Sequence, residues 1–138
     1  MSGATEGAVR AVLRLEGLCV LIAASLAYSK FGLGWGTFAL FFLTPDFSFL
    51  GYLAGPKVGA ITYNSAHSYI GAIAFLAAGI FLSAPTILCV GIIWCAHIGF
   101  DRTLGCGLKY SAGFGFTHLG RIGRVLVVTS EASAERLS

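Results

Sequence analysis

The sequence predicts an all-α polytopic membrane protein: a four-helix transmembrane bundle followed by a glycine-rich cytoplasmic C-terminal segment. Three observations carry that expectation. Hydrophobic residues make up 57% of the 138-residue chain and charged residues only 11%, where a soluble domain carries about a quarter. The apolar residues fall into four stretches, each near the roughly 20 residues that a helix needs to cross a hydrocarbon core. Eight of the nine basic residues collect on one side of the bundle those stretches define. The length allows one compact domain: residues 1–124 as the membrane domain, with a cytoplasmic-face loop at 105–124, and residues 125–138 as a polar tail.

The first span, about 9–29, carries Arg10 and Arg14 at its start, a pattern shared with signal peptides. Glu16 within the apolar core and only a loose cleavage match in "AASLAYS" favour a retained span. The second, 33–54, begins at a join punctuated by Gly32, Gly34 and Gly36 and contains "LTPDFSFLG". There Thr44, Pro45 and Asp46 read as N-cap, first and second helical positions. The preceding piece, 33–43, would reach only about 16 Å. The span is therefore either broken at Thr44–Pro45 with Asp46 facing the bundle interior, or continuous with a proline kink.

Gly55 and Pro56 mark the turn into the third span, 58–82, and Pro85 opens the fourth, 85–104. Gly51, Gly55 and Gly59 recur every four residues, as do Ala74 and Ala78, spacings that let backbones approach closely in lipid. With four spans the basic residues Arg10, Arg14, Lys57, Arg102, Lys109, Arg121, Arg124 and Arg136 share one side, and Lys30 stands alone on the other. The positive-inside rule then puts both termini in the cytoplasm. The net charge of +3 reflects this topology and contact with anionic lipid, and no nucleic-acid-binding module is visible. Cys19, Cys89, Cys95 and Cys106 have no CxxC spacing and read as small hydrophobes.

Ionisable residues at membrane depth are costly and therefore informative. In "WCAHIGFDRTLG", His97 and Asp101 share a helix face at i and i+4, and Arg102 is expected to point away toward the headgroups. Asn64 and His67 share a face at i and i+3, Glu16 lies near the cytoplasmic end of the first span, and Asp46 lies in the inner half of the second. All fall in the cytoplasmic half, so they are expected to converge, with Asp46, His67 and His97 within about 8 Å. In "GCGLKYSAGFGFTHLGRIGR", Lys109 and Arg121 suit phosphate or headgroup contacts, and folding back would bring His118 to His67 and His97.

"RLEG", "PDFSFLGYLAGPKVGAITYNSAHSY", "AHIGFDRTLGCGLKY" and "THLGRIG" resemble a family of small bacterial membrane proteins known as domain of unknown function 4260, over about 13–123. The resemblance implies a four-span bundle, in the bacterial cytoplasmic membrane, and no particular activity. Cys106 departs from it where an aromatic is expected, and Phe116 where an acidic residue is expected, which weakens a catalytic role for the loop. A shorter likeness, "PD" in one span and His in the next, is shared with membrane-bound metal-dependent hydrolases.

Three readings follow. In the first, His67, His97, Asp101 and His118 bind zinc or another divalent ion, Glu16, Asp46 and Asn64 assist catalysis, and a lipid or lipid-linked phosphoester is hydrolysed. No HExxH-type motif supports it. In the second, the same groups relay protons or ions through a small homo-oligomer, although the outer leaflet offers no ionisable residue to continue the path. In the third, they fasten a structural or binding scaffold among membrane lipids.

Overall fold

The computed structural model describes residues 4–123, and the expected polar tail at 125–138 lies outside them. Helix α1 (Gly7–Phe31) is followed by α2 (Trp35–Phe42), which passes into a 3₁₀ helix, Thr44–Ala54. Helices α3 (Pro56–His67), α4 (Tyr69–Phe81) and α5 (Pro85–Leu104) come next. Two short antiparallel strands come last among the described residues, β1 (Phe116–Thr117) and β2 (Gly120–Arg121), with Phe116 opposite Arg121. Three stretches, Gly7–Phe31, Trp35–Ala54 and Pro85–Leu104, are long and apolar enough to cross a membrane.

Helix α5 is the hub. Helices α1, α2 and α4 all pack on it, and it contributes Cys89, Ile92, Ile93 and Ala96 to a core completed by Ala24 and Tyr28 of α1. Small residues allow this. A Cβ at Gly17 would overlap Arg102 and the Gly99 carbonyl, and one at Gly99 would overlap the Gly17 carbonyl, so α1 and α5 touch backbone to backbone. The outward surfaces are apolar instead of polar, with Leu53, Ile70 and Phe81 more than three-quarters exposed. In water such a surface would be an aggregation hazard. Against lipid it is the expected one.

The stretch 33–54 departs from the expected helix start. Thr44 is not an N-cap: its hydroxyl reaches back to the Leu40 carbonyl (3.2 Å), and Leu43 keeps right-handed helical geometry ahead of it. Pro45 lacks the N–H that an α-helix would use, and the chain tightens into 11 residues of 3₁₀ helix. At about 2.0 Å rise per residue this piece reaches ~22 Å, and with eight α-helical residues the stretch spans ~34 Å. The 3₁₀ helix packs on α3 through small residues, Gly51 against Thr62 and Gly59 against Tyr52. Gly55 makes the turn between them at φ 111°. The small-residue repeat thus serves both turn and packing face.

The third stretch is not one helix. It breaks at Ser68, whose extended backbone (φ −94°, ψ 151°) separates α3 from α4. The carbonyls this frees are taken by side chains of α5. Trp94 Nε1 donates to Ala66 O (2.6 Å) and Arg102 Nη2 to His67 O (3.0 Å). Carbonyls freed away from water are costly unless neighbouring groups satisfy them in this way.

Candidate metal centre

Four side chains from three places in the fold meet at one point. Asp46 comes from the first turn of the 3₁₀ helix, His67 from the last turn of α3, and His97 and Asp101 from one face of α5. His67 Nε2 lies 3.0 Å from His97 Nε2, 3.6 Å from Asp46 Oδ1 and 3.3 Å from Asp101 Oδ2. His97 Nε2 lies 3.5 Å from Asp46 Oδ1 and 3.7 Å from Asp101 Oδ2. All four donor atoms fall within 4.8 Å of one another. Both imidazoles are buried, Asp101 is largely covered, and Asp46 is 43% exposed, so the group opens on one side only.

The surroundings fix the rings. His67 Nδ1–H donates to the Tyr63 carbonyl (3.0 Å), which leaves Nε2 as a bare lone pair aimed into the group. Tyr63 stacks on the His67 ring at 3.8 Å, nearly parallel, and donates its hydroxyl to Asp101 Oδ2 (3.4 Å). His97 packs edge-on against Phe42, and its buried Nδ1 has no partner among the described residues. Asp101 is held through its backbone too. Gly105, left-handed at φ 90°, ends α5 while the Gly105 and Cys106 N–H groups bond to the Arg102 and Asp101 carbonyls (3.0 and 2.8 Å). This is the paired C-terminal closure that glycine permits.

The chain after α5 forms a strap beneath this end of the molecule. Asn64 clamps it with two bonds to the Lys109 backbone, Nδ2 to Lys109 O (2.8 Å) and Lys109 N to Oδ1 (2.7 Å). Lys109 is buried, donates Nζ to Phe114 O (2.9 Å), and lies over the rings of Phe114 and Tyr63. Burial holds its ammonium below the ordinary lysine range and pushes the Cys106 thiol up.

The expected site residues therefore separate. Asp46, His67, His97 and Asp101 come together. His118 does not join them: its Nδ1 accepts the Leu108 N–H (2.8 Å), and it lines a different cavity with Glu16, Tyr69 and Arg102. Glu16 is likewise removed from the centre, and Asn64 is engaged as the strap's clamp. Lys109 is turned inward over Phe114 and Tyr63, while Arg121 is exposed with its guanidinium over Phe116 (4.4 Å). Arg102 also points inward, because the opened end of α3 offers it the His67 carbonyl. Sequence reasoning missed Tyr63, although it precedes His67 by one helical turn and so had the spacing to be found.

Helices of membrane-crossing length and apolarity, gathered around a two-histidine, two-aspartate group whose imidazoles are buried, define a membrane protein with a candidate metal centre. The chain belongs to the DUF4260 family, described as a domain of unknown function, whose model matches residues 10–122. The comparisons with curated proteins and with solved structures find no match.

Proposed function

We propose that the protein binds one divalent ion, zinc or a metal of similar preference, between Asp46, His67, His97 and Asp101, and uses it to hydrolyse an amphipathic phosphoester at the membrane. The observation that carries the metal is the size of the polyhedron. Zinc bonds of about 2.0–2.2 Å to nitrogen and oxygen imply tetrahedral edges of about 3.3–3.6 Å. The donor separations, 3.0–3.7 Å for five of the six edges, bracket that value. Charge argues the same way. Two carboxylates this close repel by about 3–4 kcal/mol at an effective dielectric of 20. A divalent ion with two neutral imidazoles makes the whole centre neutral.

Hydrolysis is supported by the asymmetry of exposure. Catalytic zinc keeps a position for water and lowers its pKa toward about 7. Asp46, the half-exposed ligand on the 3₁₀ helix, is the one placed to yield a position. A nearly apolar hollow of about 340 Å³, lined in part by Pro45 and Ala66, the residues preceding the ligands Asp46 and His67, suits the hydrocarbon part of a substrate. A second reading, a structural ion stapling the helices, is favoured by the count of four protein donors, which is that of closed zinc sites.

The same reading takes α3 and α4 together as the remaining crossing, giving four spans in the bacterial cytoplasmic membrane with both termini cytoplasmic. It rests on the basic residues gathering on one side. Metal analysis of the purified chain tests the centre. About one equivalent of zinc is expected, lost in His67→Ala and His97→Ala variants that retain helical circular dichroism. A native chain that stays metal-free after incubation with zinc would sink the proposal. Metal-dependent turnover of a phospholipid in mixed micelles separates the enzyme from the staple.

A further inference from the structure

A second polar cluster lies apart from the metal centre. Helices α1 and α4 both pack on α5, and beside their junction a cavity of about 400 Å³ is lined by Leu13, Glu16, Val20, Tyr69, Arg102 and His118. Its polar groups are of opposite kinds on facing elements. Glu16 comes from α1, Arg102 from α5, and His118 from the strap between β1 and β2. Glu16 and Arg102 form no ion pair among the described residues, so the cavity separates an acid from a base. Arg102 spends one N–H on His67 O and one on Cys106 O, leaving three of its five donors. His118 Nδ1 accepts the Leu108 N–H, so in the neutral ring Nε2 carries the proton and is a donor.

This cavity does not end in solvent on its apolar side. At Val20 it adjoins an apolar groove of about 540 Å³ that runs between α1 and α4 over α5, lined by Ala23, Ala27, Phe31, Leu76 and Ile80 among others. Small residues on α1 keep the groove open. From Val20 to Phe31 it extends 11 residues, or about 17 Å along α1, long enough to hold much of one acyl chain. A polar chamber with separated charges, continued by an apolar channel, has the form of an amphiphile.

We infer that this cavity and groove bind one membrane phospholipid with a zwitterionic phosphate–amine headgroup. Arg102 and His118 hold the phosphate, Glu16 holds the ammonium, and one acyl chain lies between α1 and α4. The charges select the headgroup: an anionic lipid without an amine would leave Glu16 facing a phosphate. The site shares no ligand atom with the metal centre and does not depend on it.

Native mass spectrometry of the full chain, with equal phosphatidylethanolamine and phosphatidylglycerol added in detergent, tests the inference. Retention of phosphatidylethanolamine is expected to exceed that of phosphatidylglycerol by about 10-fold, the order expected from one gained charge pair of about 1–2 kcal/mol. Glu16→Gln, on an exposed helix face, should bring the ratio near one while leaving metal content and helicity unchanged. Ala23→Leu, which fills the groove from its open side, should weaken both lipids together. Glycerophosphoethanolamine, the same headgroup without chains, should compete poorly. Equal retention of the two lipids, or an unchanged ratio in Glu16→Gln, would overturn the headgroup assignment. Full competition by the chainless headgroup would overturn the groove.

Discussion

Asp101 touches both imidazoles and the Tyr63 hydroxyl, so the site uses its charge as well as its shape. Asp101→Asn preserves the shape. The variant is expected to insert and fold normally yet to bind zinc at least about 10–100-fold more weakly, because losing a direct ligand costs no less than losing an outer-shell partner; competition with a chelator of known affinity reads the change. Misfolding with no loss of metal would return Asp101 to a structural role. His118 gives a different pH signature. Burial and the neighbouring Arg102 lower its folded pKa below the ordinary 6.5. The unfolded strap then takes up a proton first, so docking is fully stable above that value and weakens as pH falls below it. Hydrogen exchange at the Leu108 amide, which donates to His118, should therefore lose protection on acidification. At this scale the i,i+4 spacing made the His97–Asp101 pair legible, and the cost of charge at depth marked Asp46 and His67. The fate of His118 was not legible. It depends on a backbone N–H ten residues away, presented by a strap whose path local sequence does not encode.

The elements were legible where breakers and apolar length define them and illegible where distant side chains do. Gly55, Pro56 and Pro85 stand at observed boundaries. The break at Ser68 carries neither glycine nor proline. It is stabilised by Trp94 and Arg102 from α5, so no local pattern announces it. Removing one of those donors should expose the cost. Trp94→Phe keeps the ring near Phe75 but leaves Ala66 O unpaired, and an unfolding titration in micelles should show a loss of about 1–3 kcal/mol. An unchanged midpoint would mean that another donor takes the carbonyl. The 3₁₀ helix was hidden for a related reason. Pro45 pointed to an interruption of the α-helix, but the register that continues beyond it is set by packing of Gly51 and Tyr52 on α3.

For the whole molecule, the asymmetry of basic residues predicts the fate of reporters. Fusions at Ser2 and Ser138 should both report from the cytoplasm, and a tag within 83–86 from the outside. A C-terminal fusion reporting from outside would undo the four-span reading. The broken third stretch also has a consequence in time. Ala66 is made 28 residues before the indole that satisfies its carbonyl, and His67 is made 35 residues before its guanidinium partner. At about 5–20 residues per second, the ribosome leaves those carbonyls without partners for roughly 1–7 seconds. In the four-span reading, residues 56–81 meet hydrocarbon during that interval with two carbonyls unpaired, at several kcal/mol each, so their stable insertion is coupled to the arrival of α5.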